Sequence, residues 1–413
     1  MYIGEPKRET RVASSCAVLV CGGGIAGIAA AVAAARGGAD VTLLEREYSL
    51  GGMATLGLVT IYLPLCDGEG RQVVFGLGEE LLKLSVKHGA EANYPAAWLD
   101  GGTAEERRAS RYLTQFNPHL FALAAEDLLL SLGVRILYGT TAVSVRRDGA
   151  RVTHVICENK SGRSAVACRS VIDCTGDADV AALAGVPTEL HRGGNGLASW
   201  YYYFTGGKNA LKMFGLADVV PGADAAKAKK DGEVYEAVMT ESLDRSFRFS
   251  GVDGAELSDA VLRAHRLMYA DILEQKSRAP DFVPVTTSSV PLVRMSRRIA
   301  GAATADEVSG AYAPDSVGMT GDWRRRGPVF ELPFGALYSP EVTNLLAAGR
   351  CISVTDAMWD VTRVIPPCAV TGEAAGTAAA LTDDFPSLDV QGLQRRLAQN
   401  GVKLHTGQLT VDN

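Results

Sequence analysis

Hydrophobic residues in this chain fall into three patterns: short unbroken runs, strict alternations, and stretches spaced by three and four. CAVLVC at 16–21 is an unbroken run, as expected of a strand buried on both faces. Glycines follow at once. IAGIAAAVAAARGG then reads as a helix of small residues that stops at Gly37 and Gly38. DVTLLE at 40–45 predicts a second strand and completes a βαβ unit. Helices are predicted around 77–88 and over 118–132, the latter opened by Pro118 and closed by Gly133. Between them, the Pro-, Gly- and charge-rich stretch 93–112 reads as an exposed loop. VRILY at 134–138 predicts a strand. Alternation over 141–147 and 151–158 around the Asp148-Gly149 turn predicts a hairpin, and SVIDC at 170–174 a further buried strand.

From about residue 187 the character changes. WYYYF at 200–204 is aromatic and strand-like, 210–280 reads as mainly helical, and 284–300 holds a strand and a basic segment, VRMSRRIAG. VFELPFGALY at 329–338 predicts a strand and turn. NLLAAG at 344–349 returns to the buried-strand pattern, and an Ala-rich helix is predicted over 366–381. The first lobe is therefore discontinuous, and residues 1–14 look like a loose arm.

Composition narrows the function classes. With 413 residues, two lobes are expected, because single cores stop growing near roughly 250–300 residues. A net charge of −6 argues against a nucleic-acid partner. No apolar run is long enough to span a membrane, and the first residues lack the apolar core of a signal peptide, which together favour the cytoplasm. The eight cysteines include no CxxC pair and read as buried thiols; the six histidines show no metal-ligand spacing, so no metal is expected.

The chemistry sits in the glycines. Gly22, Gly24 and Gly27 fit G-x-G-x-x-G between a strand and a helix, the context that makes this motif a dinucleotide fingerprint. Gly22 permits the tight turn, Gly24 lets backbone approach a pyrophosphate, and Gly27 lets helix and strand pack closely. The helix start, with Ile25 and Ala26, offers amides to the phosphates. Glu45, beside Arg46, can accept from adenosine ribose hydroxyls and should repel a 2′-phosphate.

Four further segments favour FAD over NAD. LGGMATLG at 50–57 adds backbone amides near a pyrophosphate and places Gly51, Gly52, Met53, Ala54 and Thr55 at the cofactor. DCTGDADVAALAG brings Thr175, Gly176 and Asp177, and NLLAAGRC brings Gly349 and Arg350. In RVIPPCAVTGEAAGTAAAL, Pro366 and Pro367 suit the first turn of a helix whose free amides would point at the flavin, with Val364 and Ile365 just ahead as cofactor contacts, and Gly372 and Gly376 share one face. This set resembles the FAD-dependent oxidoreductases of the glutathione-reductase-like flavoprotein superfamily over about residues 16–382. The resemblance implies an α/β fold: a Rossmann-like FAD-binding domain (12–186 and 341–385), an α+β substrate domain (187–340) and a C-terminal helix or tail (386–413). It also implies that Val143 touches the adenine through its backbone. VPLVRMSRRIAG resembles an Arg-rich stretch of that group, whereas Trp359, Asp360 and Val361 ahead of Arg363 depart from it.

Bound FAD carries the redox chemistry, so the protein's part is orientation and electrostatics. Arg363, just before the last helix, could hold an anionic substrate or form a structural ion pair. Arg294, in a strand-like run, could face the cavity. Arg297 and Arg298 read as structural or solvated. Trp200, Tyr202 and Phe204 share one strand face as flavin wall or core, Tyr62 and Cys66 could approach the ring, and Trp359 and Asp360 are pocket candidates by proximity. The expected activity is transfer of a hydride or electrons between a small molecule and non-covalently bound FAD. No second G-x-G-x-x-G exists, so NAD(P)H or another electron partner would visit transiently. An NAD-dependent dehydrogenase is the first alternative, and a flavin-containing RNA-modification protein the second.

Overall fold

The computed structural model describes residues 3–4, 8–214 and 247–410. Its centre is the first apolar run. Strand β1 (Val12–Cys21) lies between β2 (Val41–Leu44) and β8 (Gly162–Asp173), parallel to both. Val18, Leu19 and Val20 are wholly buried because layers cover both faces. Parallel β5 (Arg135–Leu137) extends the sheet beyond β2, and β16 (Leu345–Ala347) joins β8 in parallel. The sheet is completed by the hairpin β6 (Thr141–Asp148) and β7 (Arg151–Asn159), with β7 antiparallel to β8.

Helix α1 (Ile25–Arg36) follows the glycine turn and is buried over most of its length. It crosses helix α9 (Ile365–Leu381), which is buried from Ile365 to Ala379. Glycine makes this crossing possible. A Cβ on Gly372 would lie 2.3 Å from the Ala26 carbonyl oxygen, and one on Gly376 would lie 2.1 Å from that of Ala30.

A second sheet has the order β11-β10-β12, formed by β10 (Ser199–Thr205), β11 (Lys208–Phe214) and β12 (Val283–Thr287). One of its faces packs on helix α7 (Gly254–Arg278) through Tyr201, Phe214, Met268 and Phe282. Trp200 and Tyr202 turn the other way, against Leu58 and Leu292. Paired short strands complete the fold: β3 (Ile61–Tyr62) with β4 (Thr114–Gln115), β9 (Thr188–Leu190) with β13 (Arg297–Ile299), and β14 (Ser316–Gly321) with β15 (Val329–Pro333). The architecture is the predicted α/β class, a parallel-dominated sheet with helices plus antiparallel sheets. No helix among the described residues is long and apolar enough to cross a membrane.

Four local expectations need correction. Residues 12–14, expected in a loose arm, belong to β1, which starts at Val12 and pairs there with Ala165 and Val166 of β8. The stretch 93–112 is not all loop: it contains helices α3 (Ala96–Leu99) and α4 (Ala104–Ala109). A capping box between Thr103 and Glu106 starts α4, and Trp98 stacks on Tyr112 at 5.1 Å. Residues 208–214 are strand rather than helix: Lys, Ala, Leu and Met favour helices, but pairing with β10 overrides that preference. Part of the predicted 210–280 helical region, residues 215–246, lies outside the described residues. Finally, Arg294 sits in an irregular segment between β12 and β13, not in a strand.

Candidate cofactor groove

The carboxyl ends of the parallel strands converge, the place where open α/β sheets hold ligands. Cys21 and Gly22 end β1, Glu45 follows β2, Cys174 to Asp177 follow β8, and Ala348 to Arg350 follow β16. They border one cavity of about 540 Å³ that runs from Glu45, Arg46 and Thr140–Ala142 to Arg363, Val364 and Ile365. This is within the roughly 300–1,000 Å³ usual for ligand pockets.

Each glycine of the fingerprint has a distinct role. Gly22 is at φ +105°, and a Cβ there would meet the Cys174 carbonyl oxygen at 2.4 Å. A Cβ on Gly27 would lie 1.8 Å from the Gly22 carbonyl oxygen, so Gly27 seats α1 on the turn and stays off the cavity wall. Gly24 is different. Its backbone is ordinary (φ −69°, ψ −177°), and a Cβ there would meet nothing within 4 Å, yet Gly24 lines the groove. A side chain at 24 would fill space that the protein leaves open.

Glu45 is buried and already holds two backbone amides. Oε2 accepts from Gly23 N at 2.7 Å, and Oε1 from Glu47 N at 2.8 Å. Burial raises its pKa, and those two amides oppose the rise. A carboxylate has about four lone-pair sites, so two remain for hydroxyls. Gly51 and Gly52 take left-handed conformations in the next turn, and Met53 and Ala54 reach the groove beside them. Thr55 does not reach it. Its Oγ1 donates to the Leu50 carbonyl at 2.5 Å and closes the turn from behind.

The loop after β8 is shaped by a residue that sequence reasoning passed over. Asp173 is wholly buried; it accepts from Thr175 N (3.0 Å), Thr175 Oγ1 (2.7 Å) and Ala181 N (2.8 Å). Gly176, at φ +82°, leaves room for the Arg350 guanidinium, which a Cβ would meet at 2.4 Å. Arg350 bonds the Asp177 carboxylate at 3.3 Å and the Val293 carbonyl. Asp177 also accepts from Ser296 Oγ at 2.5 Å, which ties the segment around Arg294 to the groove. Asn195 holds that segment from the other side, accepting from Arg294 N at 2.9 Å and Met295 N at 3.0 Å.

Arg363 and Arg294 both line the cavity. Arg363 is paired with buried Asp360 at 2.6 Å and lies 5.9 Å from the centre of the Trp323 ring. Arg297 and Arg298 are structural: Arg297 bonds Asp179 at 2.6 Å, and Arg298 bridges Asp356 at 2.6 Å and Glu189 at 2.9 Å. Trp359 is buried and donates to the Arg350 carbonyl at 2.6 Å; neither it nor Asp360 lines the cavity.

Tyr62 and Cys66 are likewise away from it. The Tyr62 hydroxyl donates to the Gly78 carbonyl at 2.6 Å, while Cys66 accepts from Tyr112 N and its thiol is pushed up by burial. Three cysteines border the groove, Cys21, Cys174 and Cys368; burial raises all three, Cys368 to about 12, so they are neutral thiols. Of the aromatic face, Trp200 lines the groove, Tyr202 does not, and Phe204 is exposed.

Val143 also lies off the groove. Pairing shifts between Ala142 and Ser144, so Val143 sits in a bulge, and Ala142 with Thr140 and Thr141 forms the wall instead. The last helix starts as expected, but offers fewer free amides than expected. Pro366 and Pro367 occupy its first turn and carry no N–H, and the Cys368 amide is bonded to the Val364 carbonyl at 3.2 Å. Ile365 is thus the one first-turn donor left. Sequence reasoning missed Ile61, Met213, Leu292 and Trp323, which also line the groove.

The family model described as FAD dependent oxidoreductase matches residues 17–249 and 309–397. The chain belongs to that family. It is an oxidoreductase with FAD as cofactor. No curated protein matches the sequence. Among solved structures the family member is similar to a geranylgeranyl bacteriochlorophyll reductase-like protein from Thermoplasma acidophilum, at 12% identity and TM-score 0.42, covering 94% of this chain and 84% of that one. It is also similar to p-nitrophenol 4-monooxygenase PnpA from Pseudomonas putida DLL-E4, at 12% identity and TM-score 0.44, covering 94% and 81%. The groove suits the family's cofactor on its own terms, because Gly24 leaves an unfilled cradle at the start of α1, where first-turn amides have no partner within the helix.

Proposed function

We propose that this protein transfers a hydride or electrons between an organic small molecule and FAD held without a covalent bond along the groove. The observation that carries this reading is the continuity of one cavity from Glu45 to Ile365. FAD supplies the redox chemistry when bound. In this reading Glu45 and Arg46 hold the adenosine end. Amides and glycines at 22–27 and 51–54 hold the diphosphate, with Thr55 and Gly27 acting from behind. Thr175, Gly176, Asp177, Gly349 and Arg350 line the middle, and Val364 and Ile365 hold the flavin end. Residues 12–186 and 341–385 make up the cofactor unit, and 187–340 the substrate side.

Arg363 and Arg294 present guanidinium groups to the reacting end. Asp360 neutralises Arg363, so Arg363 orients a polar group of the substrate or flavin rather than acting as a bare anion trap. Trp200, Met53 and Leu292 exclude water from the same end. NAD(P)H or another acceptor or donor exchanges electrons as a visiting partner. The protein works in the cytoplasm, consistent with its eight unpaired cysteines.

Purified protein should be yellow, and heat denaturation should release FAD, identified by chromatography. Release of NAD instead, or a colourless protein that FAD does not reconstitute, refutes the reading.

A further inference from the structure

Beside the groove lies a second, larger cavity of about 1,720 Å³ among the described residues. The two cavities share Ile61, Met213 and Trp323 as a common partition. They also share a wall. In the β10–β11 pairing Trp200 stands opposite Met213, and Tyr202 opposite Leu211. Alternation puts these four side chains on one sheet face. Trp200 lines the inner groove, Tyr202 and Leu211 line the outer chamber, and Met213 lines both. One apolar surface therefore runs from the flavin end into the chamber.

The chamber's charges balance. Glu91, Asp100 and Glu106 are matched in number by Arg111, Lys208 and Arg326 on its wall. The rest of its wall is mostly aliphatic and aromatic, with the Tyr202 hydroxyl already bonded to Thr60 at 2.7 Å and Gln115 at 3.2 Å. A balanced wall offers no net attraction to a charged ligand. Its volume exceeds the roughly 300–1,000 Å³ of sites for drug-sized ligands.

We infer that the outer chamber holds the body of a bulky, uncharged, largely apolar organic substrate whose reacting end passes the Trp323 partition to the flavin. This rests on the flavin lying in the inner groove as proposed above. Trp323 is fixed as a gatepost: its Nε1 donates to the Asp360 carbonyl at 2.9 Å. It thus meets the same residue that pairs with Arg363.

The test uses FAD-saturated full-length protein and the neutral apolar dye Nile red. Wild type should bind the dye saturably, with a change in the flavin visible spectrum. Leu211→Glu, which places a charge on the chamber wall only, should weaken dye binding by at least about tenfold at unchanged FAD content. Leu211→Met should retain it. If Leu211→Glu does not fold, Ala96→Glu, at an exposed helical position that also lines the chamber, provides the same measurement. Absence of saturable binding in wild type, or equal affinity in the glutamate variant, overturns the inference. A colourless protein, seen before dye is added, sinks the flavin reading instead and leaves the dye titration to decide the chamber.

Discussion

Gly24→Ala separates cofactor binding from folding, because the two should move in opposite directions. The backbone at 24 (φ −69°, ψ −177°) suits alanine, and the new Cβ touches nothing in the protein. Replacing glycine where its conformation is compatible stabilises by about 0.4–1 kcal/mol, through the unfolded chain. Apoprotein should therefore melt at the same temperature or slightly higher. The same Cβ stands in the space assigned to the diphosphate. Overpacking typically costs about 1–3 kcal/mol, which corresponds to FAD binding weaker by about 5- to 150-fold. Gly27→Ala is the contrasting control. Its Cβ would lie 1.8 Å from a carbonyl oxygen, so it should lower the melting temperature of apoprotein itself. The assays are FAD titration of stripped apoprotein by fluorescence quenching and thermal melts without cofactor. An unchanged FAD Kd in Gly24→Ala, or an apoprotein melting point that falls as far as in Gly27→Ala, refutes the reasoning.

Three further outcomes are expected. Glu373, buried in α9, caps the start of helix α2 (Leu77–Val86) through Leu77 N at 2.7 Å, and burial raises its pKa from 4.5 to about 7. A raised acid favours the folded state most below about pH 4.5, and that contribution is lost as pH rises through about 7. Glu373→Gln should remove that slope, by up to about 3 kcal/mol, in urea melts between pH 4.5 and 8; parallel wild-type and variant curves would contradict this. Glu45→Gln removes a charged acceptor and should weaken FAD binding by about 10- to 150-fold, from about 1.5–3 kcal/mol per charged hydrogen bond, as read by the same titration. Asp360→Asn leaves Arg363 without its counter-charge, so sulfite should bind the holoenzyme flavin more tightly, by about fivefold for about 1 kcal/mol. Loss of visible absorbance during sulfite titration reads this, and an unchanged sulfite Kd would count against Arg363 facing the flavin.

The parts of the groove legible in the sequence are those built from local chemistry. CAVLVC, its glycines and DVTLLE form their elements where predicted because strand, turn and helix are specified by neighbours in sequence. Gly372 and Gly376 were readable as a flat face for the same reason, although not which helix would meet them. What stayed hidden depends on distant partners. Arg294 reads as strand, but a side chain 99 residues away, Asn195, holds it in an irregular segment. The family resemblance implies that Val143 reaches the adenine, yet with a bulge at this point it is Ala142 and not Val143 that lines the groove. Residues 208–214 carry helix-favouring side chains and become strand only because β10 is alongside. Trp323 lies in the polar turn GDWRRRGP, where nothing local marks it as the partition between two cavities.

The backbone contact between α1 and α9 has a mechanical consequence. With Gly372 seated on Ala26 and Gly376 on Ala30, neither helix can slide or roll without a steric collision. In the proposed reading the starts of these helices hold the diphosphate and the flavin end of FAD, which would make them a stiff jaw for the cofactor.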